Sequence, residues 1–257
     1  IFNKESLMLL PANKSLGQNF LTDQNILDKI ARSVRAKKGD TVIEIGPGQG
    51  ALTRKMLEKG INVIAVEYDD RFIPLLNDLN NQGFEGSIEV HHADVLKTNL
   101  TVLTDKKVPL IGNLPYNIGT EIIFGSIKES ESFSQMLFLL QKEVVERITA
   151  TVDDKHWGRL GLMCSQYANT SYLFDVPPTA FVPPPKIMSS IVELNLLDEP
   201  RFDVEHKKLE RVIKTAFIKR RKMLRASLKG TLSIEQIEEA GVNPTERPEN
   251  LELSEFV

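Results

Sequence analysis

The chain has 257 residues, of which 41% are hydrophobic and 26% charged, with a formal net charge of −3. These values fit a soluble globular protein with ample core, built as one large domain or as a domain plus an appendage. No apolar run nears the roughly 20 residues that span a bilayer, no signal-peptide pattern is visible, and the single Cys164 excludes an internal disulfide and fits a reducing cytoplasm.

The sequence opens on Ile1 rather than Met, compatible with a truncated start. Residues 41–45 (Thr-Val-Ile-Glu-Ile) predict a buried strand and 51–59 the helix after it. A second strand follows at 62–67 and a second helix at 69–80, then strands at 87–92 and 108–112. The third strand carries His91 and His92, but none of the four His has metal-ligand spacing, so no metal site is expected. Residues 121–128 read as helix, 135–140 as a fifth strand, 143–149 and 159–168 as helices, and 171–176 and 187–197 as late, hairpin-like strands around a Pro-rich stretch at 177–185. Strands alternating with helices predict an α/β fold with a doubly wound, mostly parallel sheet. Composition shifts at Asp198-Glu199-Pro200. Beyond it Leu209, Val212, Ile213, Ala216 and Phe217 recur at helical spacing. The expected division is therefore 1–199 and a small all-helical appendage at 200–257.

Two segments carry chemistry. Glu44-Ile-Gly-Pro-Gly-Gln-Gly50 joins the first strand to the first helix, where glycines let the backbone approach a ligand closely. Gly46, Gly48 and Ala51 also satisfy a dinucleotide fingerprint, and Glu67, about 20 residues on, suits a ribose in either case. The Gly-x-Gly-x-Gly spacing, Glu44 just before it, and Asp94 after the third strand favour S-adenosylmethionine over NAD. Glu44 could face the ligand's cationic amino-acid part, or be a loop-supporting acid; Asp94 could accept from an adenine amine. The second segment is Asn113-Leu114-Pro115-Tyr116, after an apolar strand. The Asn carbonyl suits the exocyclic amine of a base and the Tyr face suits stacking on its ring, although a plain strand-to-loop turn would use the same letters.

Charge is segregated. Residues 207–229 hold ten Lys or Arg against Glu210, and residues 231–257 hold seven Glu against Arg247. A basic block inside an acidic chain is an electrostatic footprint for nucleic acid, though a solvated helix face is the bland alternative.

Together these blocks resemble the ribosomal RNA adenine dimethyltransferase family of class I, Rossmann-like methyltransferases. The resemblance rests on residues 13–21 (Asn-Lys-Ser-Leu-Gly-Gln-Asn-Phe-Leu), 44–50, Val66-Glu67, Ala93-Asp94-Val95 and Asn113–Asn117. It continues through the Phe181-x-Pro-Pro-Pro-Lys186-Ile187-x-Ser189 block and the Lys214-Thr-Ala-Phe-x-x-Arg220-Arg221-Lys222 block, nearly the whole chain from residue 13. The last two fit the small-subunit branch better than the large-subunit, antibiotic-resistance branch. Gly119 stands where the family usually has Ser.

What the resemblance implies is transfer of methyl groups from S-adenosylmethionine to N6 of two adjacent adenosines near the 3′ end of small-subunit rRNA. Asn113 and the Leu114 carbonyl would receive the amine hydrogens, and Tyr116 and Phe181 would hold the base. Asn19, Leu21, Gly46, Gly48, Glu67, Asp94 and Asn113 would bind the cofactor, while Lys219, Arg220, Arg221, Lys222 and Arg225 would grip phosphates, with Lys186 a weaker candidate. Gln18 is either at the cofactor or an exposed loop residue, and Trp157 is expected to pack rather than stack on a base. The partner is expected to be rRNA within an immature 30S-type particle, met in the cytoplasm by a monomer, with no membrane involved. Rival readings are a large-subunit rRNA methyltransferase, a DNA adenine methyltransferase, which usually has an acidic residue at the position of Asn113, and a non-catalytic subunit-assembly factor.

Overall fold

The computed structural model describes residues 10–13 and 16–257, so Lys14 and Ser15 of the N-terminal motif lie outside the described residues. Along the chain run β1 (Phe20–Leu21), α1 (Gln24–Ser33), β2 (Thr41–Ile45), α2 (Ala51–Glu58), β3 (Asn62–Glu67), α3 (Ile73–Asp78), β4 (Ile88–His92), β5 (Val108–Asn113) and α4 (Gly119–Ile127). They are followed by β6 (Phe133–Gln141), α5 (Lys142–Thr149), α6 (Arg159–Tyr167), β7 (Ala168–Val176), β8 (Phe181–Val182), β9 (Ser189–Leu196), α7 (His206–Ile218), α8 (Leu224–Ser227) and α9 (Ile234–Glu239).

Seven strands form one sheet in the order β4-β3-β2-β5-β6-β9-β7. The first five are parallel, and β9 runs antiparallel between β6 and β7. The doubly wound, mostly parallel sheet expected from the sequence is what forms. Strand order reverses between β2 and β5, and the C-terminal edge at such a switch point is where open α/β sheets bind ligands.

Alternate strand residues point to opposite faces. Val42, Val63, Ile111 and Leu137 pack with Leu27 and Ile30 of α1, Met56 of α2 and Leu76 of α3. Their neighbours Ile43, Ile64, Leu110 and Met136 pack with Ile123 of α4, Val145 of α5 and Leu160 of α6. Burial on both faces is why these strands read as nearly unbroken apolar runs.

Besides the short β1–β8 ribbon, which had no predicted counterpart, two helical segments depart from the sequence reading. Helix α1 had no predicted counterpart, although Asp23 caps it by accepting from the Ile26 N–H at 3.1 Å. The helix expected over 69–80 is broken into a 3-10 turn at Asp70–Phe72, α3, and another 3-10 turn at Leu79–Asn81. Pro74 explains the first break: it lacks an N–H and is tolerated only in the first turn of a helix, so α3 starts there.

The segment after residue 200 is built of helices and turns, and it shares a core with the sheet. Leu209, Ile213, Leu224, Ile237 and Leu251 belong to the same apolar cluster as Leu160, Met163 and Cys164 of α6. Trp157 is buried there and its indole N–H donates to the Leu251 carbonyl at 2.9 Å, the packing role expected of it. Burial also pushes the Cys164 thiol up to about 12, which leaves it chemically inert. Among the described residues, no helix is long and apolar enough to cross a membrane.

Candidate active site

The C-terminal ends of β2, β3, β4 and β5 open into a cavity of about 270 Å³. It is lined by the segment Leu16–Phe20 and by Gly46, Gly48, Glu67, Tyr68, Asp94, Leu96, Asn113, Leu114 and Tyr116, so residues of five separate motifs converge. Tyr68 and Leu96, large apolar side chains left 60% and 44% exposed, form part of its wall.

The glycine loop turns through left-handed backbone at Gly46 (φ 62°) and Gly48 (φ 55°), a region L side chains rarely adopt. The Gly46 N–H donates to the Val66 carbonyl at 2.9 Å, and the Gly48 N–H to Glu67 Oε2 at 2.9 Å. Glu67 Oε1 accepts from the Asp69 N–H at 2.8 Å. Burial raises the Glu67 pKa, and the backbone N–H groups of Asp69, Gly48 and Tyr68 pull it back down. A carboxylate has roughly four lone-pair sites, so Glu67 can secure the loop and still accept from a ligand hydroxyl. Asp94 caps the turn after β4, accepting from the Leu96 N–H at 3.0 Å, and pairs with Lys97 at 3.3 Å.

Asn113 ends β5. Its Nδ2 donates to the Asn19 carbonyl at 2.9 Å. A carbonyl can only accept, so this bond fixes the orientation of the amide, and Oδ1 is left with no partner among the described residues. Leu114 is buried, with its N–H on the Leu139 carbonyl at 3.1 Å. The Tyr116 phenol is hydrogen-bonded to the Ser189 hydroxyl, and burial raises its pKa.

Phe181 and Leu21 sit elsewhere. They face each other across the β1–β8 ribbon and are buried in the core on the α1 and α2 side. Phe181 lines neither this cavity nor its neighbour, so the expected place beside the base is not the one it holds here. Leu21 and Glu44 line a second cavity of about 280 Å³, which shares Phe20, Gly46 and Asn113 with the first. Glu44 accepts from Thr53 Oγ1 at 2.6 Å. Burial, reinforced by Glu67 and opposed by Thr53, lifts its pKa to about 7.

Gln18 proves to be a tie rather than a free loop residue. Its Nε2 donates to Asp69 Oδ2 at 2.8 Å, and Asp69 is clamped by Arg71 at 2.5 Å, which holds its carboxyl at about 2. This network was missed from sequence because Gln18 and Asp69 are far apart in the chain. Phe20 was likewise passed over as a site residue; its ring lies 3.1 Å from where a Gly48 Cβ would stand, so it backs the glycine loop. Gly119 begins α4, where an added Cβ would come within 2.6 Å of Leu140 Cδ2. Glycine therefore suits the packing under the Asn113–Tyr116 loop.

In the basic block, Arg220 donates to Glu249 at 2.7 Å and to the Lys155 carbonyl at 2.7 Å. Lys219, Arg221, Lys222 and Arg225 are exposed and make no ion pair among the described residues, and Lys186 is likewise exposed.

Residues 10–257 match the family described as Ribosomal RNA adenine dimethylase. The chain is 45% identical over 249 residues to Ribosomal RNA small subunit methyltransferase A of Pseudomonas aeruginosa, covering 96% of this chain and 92% of that protein. The protein of the same name from Agrobacterium fabrum is 44% identical, with 96% and 91% covered. Among solved structures, a dimethyladenosine transferase from Plasmodium falciparum matches with a TM-score of 0.78 at 26% identity, covering 92% of this chain and 94% of that one. The 23S rRNA methyltransferase ErmE matches with a TM-score of 0.71 at 25% identity, with 93% and 96% covered. A match running from Leu10 to the last residue, over a switch-point cavity that gathers the same motifs, shows that this chain belongs to the ribosomal RNA adenine dimethylase family of methyltransferases.

Proposed function

We propose that the chain transfers methyl groups from S-adenosylmethionine to N6 of two adjacent adenosines near the 3′ end of small-subunit rRNA, giving N6,N6-dimethyladenosines during ribosome biogenesis. The observation that carries this reading is the Asn113 amide, oriented by Asn19 with its Oδ1 unpaired among the described residues, in one cavity with Tyr116, Glu67 and Asp94. The relatives named for the small subunit are 45% and 44% identical, against 25% for the large-subunit enzyme, which favours the small-subunit substrate. The proposed working substrate is rRNA within an immature small-subunit particle, met by a monomer in the cytoplasm.

The residues present fit the cofactor. Nothing lies within 4 Å of where a Gly46 Cβ would be, so the backbone there is open to a close-lying ligand, while carboxylates stand at the ends of two successive strands. Glu67 would take the ribose hydroxyls and Asp94 the adenine amine, with Gly46, Gly48 and Asn19 around the remainder. S-adenosylmethionine supplies a methyl already activated by its sulfonium, so no strong general base is required. The protein's part is to orient a weak nucleophile, whose lone pair is delocalised into the adenine ring. Asn113 Oδ1 and the Leu114 carbonyl would accept the two amine hydrogens, which localises that lone pair. Tyr116 would hold the ring by stacking, worth about 1–3 kcal/mol per base. Phe181, buried in the β1–β8 ribbon, is outside this stack.

The test is labelled methyl transfer to unmodified small subunits, followed by digestion to nucleosides. Label in N6,N6-dimethyladenosine is the expected result; label confined to large-subunit RNA or to DNA overturns the proposal, and no transfer at all would leave a binding role. Glu67→Ala is expected to weaken S-adenosylmethionine binding by about 1–3 kcal/mol, by removing charged hydrogen bonds and freeing the Gly48 N–H. Calorimetry would check this, and unchanged affinity would remove Glu67 from the site.

The basic block divides into two expected behaviours. Replacing Arg221, Lys222 and Arg225 with Ala should lower the log–log salt slope of particle binding by up to about 2–3 units, because each phosphate contact releases counterions. Thermal stability should be unaffected. Arg220→Ala should instead lower stability, since its partners are Glu249 and the Lys155 carbonyl. A triple variant with an unchanged salt slope would show that the block does not grip RNA.

A further inference from the structure

Ser189, the first residue of β9, is completely buried. A hydroxyl taken out of water needs a hydrogen-bond partner, and the side-chain partner of Ser189 is the Tyr116 phenol. Topology sets the path of that bond. β6 lies between β5 and β9, and Ser189 pairs with Gln141, the last residue of β6. Tyr116 leaves the loop after β5, so its side chain bridges the C-terminal end of β6 to reach the strand beyond.

The rest of that loop is held through its backbone and through Asn113. The Leu114 N–H is on the Leu139 carbonyl, and the Pro115 carbonyl accepts from the Gly119 N–H at 2.9 Å. Asn113 is tied to Asn19. What these bonds leave free is rotation of the Tyr116 side chain, and the bond to Ser189 fixes it at the far end of the ring.

We propose that Ser189 is a positioning residue for methyl transfer: it holds the Tyr116 ring at the angle on which the target base stacks, so that the amine of the base meets Asn113 Oδ1. This rests on the reading of Tyr116 as the base platform. An untethered ring still offers a face to any base, so affinity for the particle survives. The fraction of time in which the amine lies in line with the methyl falls, and the loss therefore appears in the chemical step.

The experiment is a double-mutant cycle read by single-turnover methyl transfer to unmodified small subunits, with dissociation constants for S-adenosylmethionine and for the particle measured alongside. Ser189→Ala is expected to slow single turnover roughly tenfold, equivalent to ~1.36 kcal/mol, while both dissociation constants stay within about twofold. Ser189→Thr, which keeps the hydroxyl, should restore the rate. In a Tyr116→Phe background, where the phenol is already gone, Ser189→Ala should add nothing. A Ser189→Ala enzyme with the wild-type rate overturns the proposal, as does an equal tenfold loss in the Phe background, which would mean that Ser189 acts through packing. Tyr116→Ala separates the two ideas. If that variant is slow and Ser189→Ala is not, only the role of Ser189 fails; if Tyr116→Ala itself turns over normally, the platform reading fails.

Discussion

Asn113→Ala is expected to slow single-turnover methyl transfer by about 100- to 1,000-fold, the scale on which removal of one preorganised dipole at a reacting centre is felt. Asn113 Nδ2 is already committed to the Asn19 carbonyl, so the amide does not have to reorganise when the base arrives and Oδ1 stands ready to accept from it. On the proposed reading this acceptor acts mainly when N6 approaches the methyl, so affinity for the particle should be nearly unchanged and affinity for S-adenosylmethionine should fall by less than about tenfold. Rapid-quench kinetics with calorimetry would check both parts. A variant that turns over at close to the wild-type rate would take Asn113 out of the mechanism.

Glu44→Gln should have the largest effect on stability, and that effect should depend on pH. The folded protein lifts this carboxyl from 4.5 to about 7, chiefly by burial. Below about pH 4.5 the group is protonated in both the folded and unfolded chain, and nothing is lost. Between about 4.5 and 7 the folded state keeps a proton that the unfolded state has released, so stability falls as pH rises; above 7 the full cost is present. At about 1.36 kcal/mol per pKa unit, that cost is on the order of 3 kcal/mol. Gln carries no charge, and its carbonyl can still accept from Thr53. The variant should therefore gain stability over the parent at pH 8 and little at pH 5, a difference of several degrees in Tm for a protein of this size. Thermal melts of both proteins across that range would check it. Equal gains at the two pH values would show that the Glu44 carboxyl does not titrate as described.

The strands were legible because their residues meet apolar surface on both sides. Val42 and Ile43, or Leu110 and Ile111, serve opposite layers and together write an unbroken apolar run. The residues that line the cavity are legible for a related reason: Gly46, Glu67, Asp94 and Asn113 each follow such a run at its end. Helix α1 also writes a local signal, the Asp23 cap followed by Leu27, Ile30 and Ala31 at helical spacing, which the sequence reading does not use. Contacts between distant residues leave no local signal. Gln18 with Asp69, Tyr116 with Ser189, and Arg220 with Glu249 are pairs that only the folded chain brings together. Phe181 shows the converse: a motif names the residue, while the β1–β8 pairing decides which way its ring faces.

The shared core of the sheet and the C-terminal helices has a geometric consequence. Leu209 and Ile213 of α7 pack in the cluster that also holds Met136 of β6 and Leu110 of β5, and the Trp157 indole fastens the tail to the same body. The exposed cations after α7 and the Asn113 end of β5 are thus two marks on a single ruler. If the exposed cations hold an RNA backbone, as proposed above, only the nucleotide lying the set span away meets the other mark. On that proposal the adenosine is chosen by measurement, and one address can be found without reading sequence, provided that the folded RNA keeps its own dimensions.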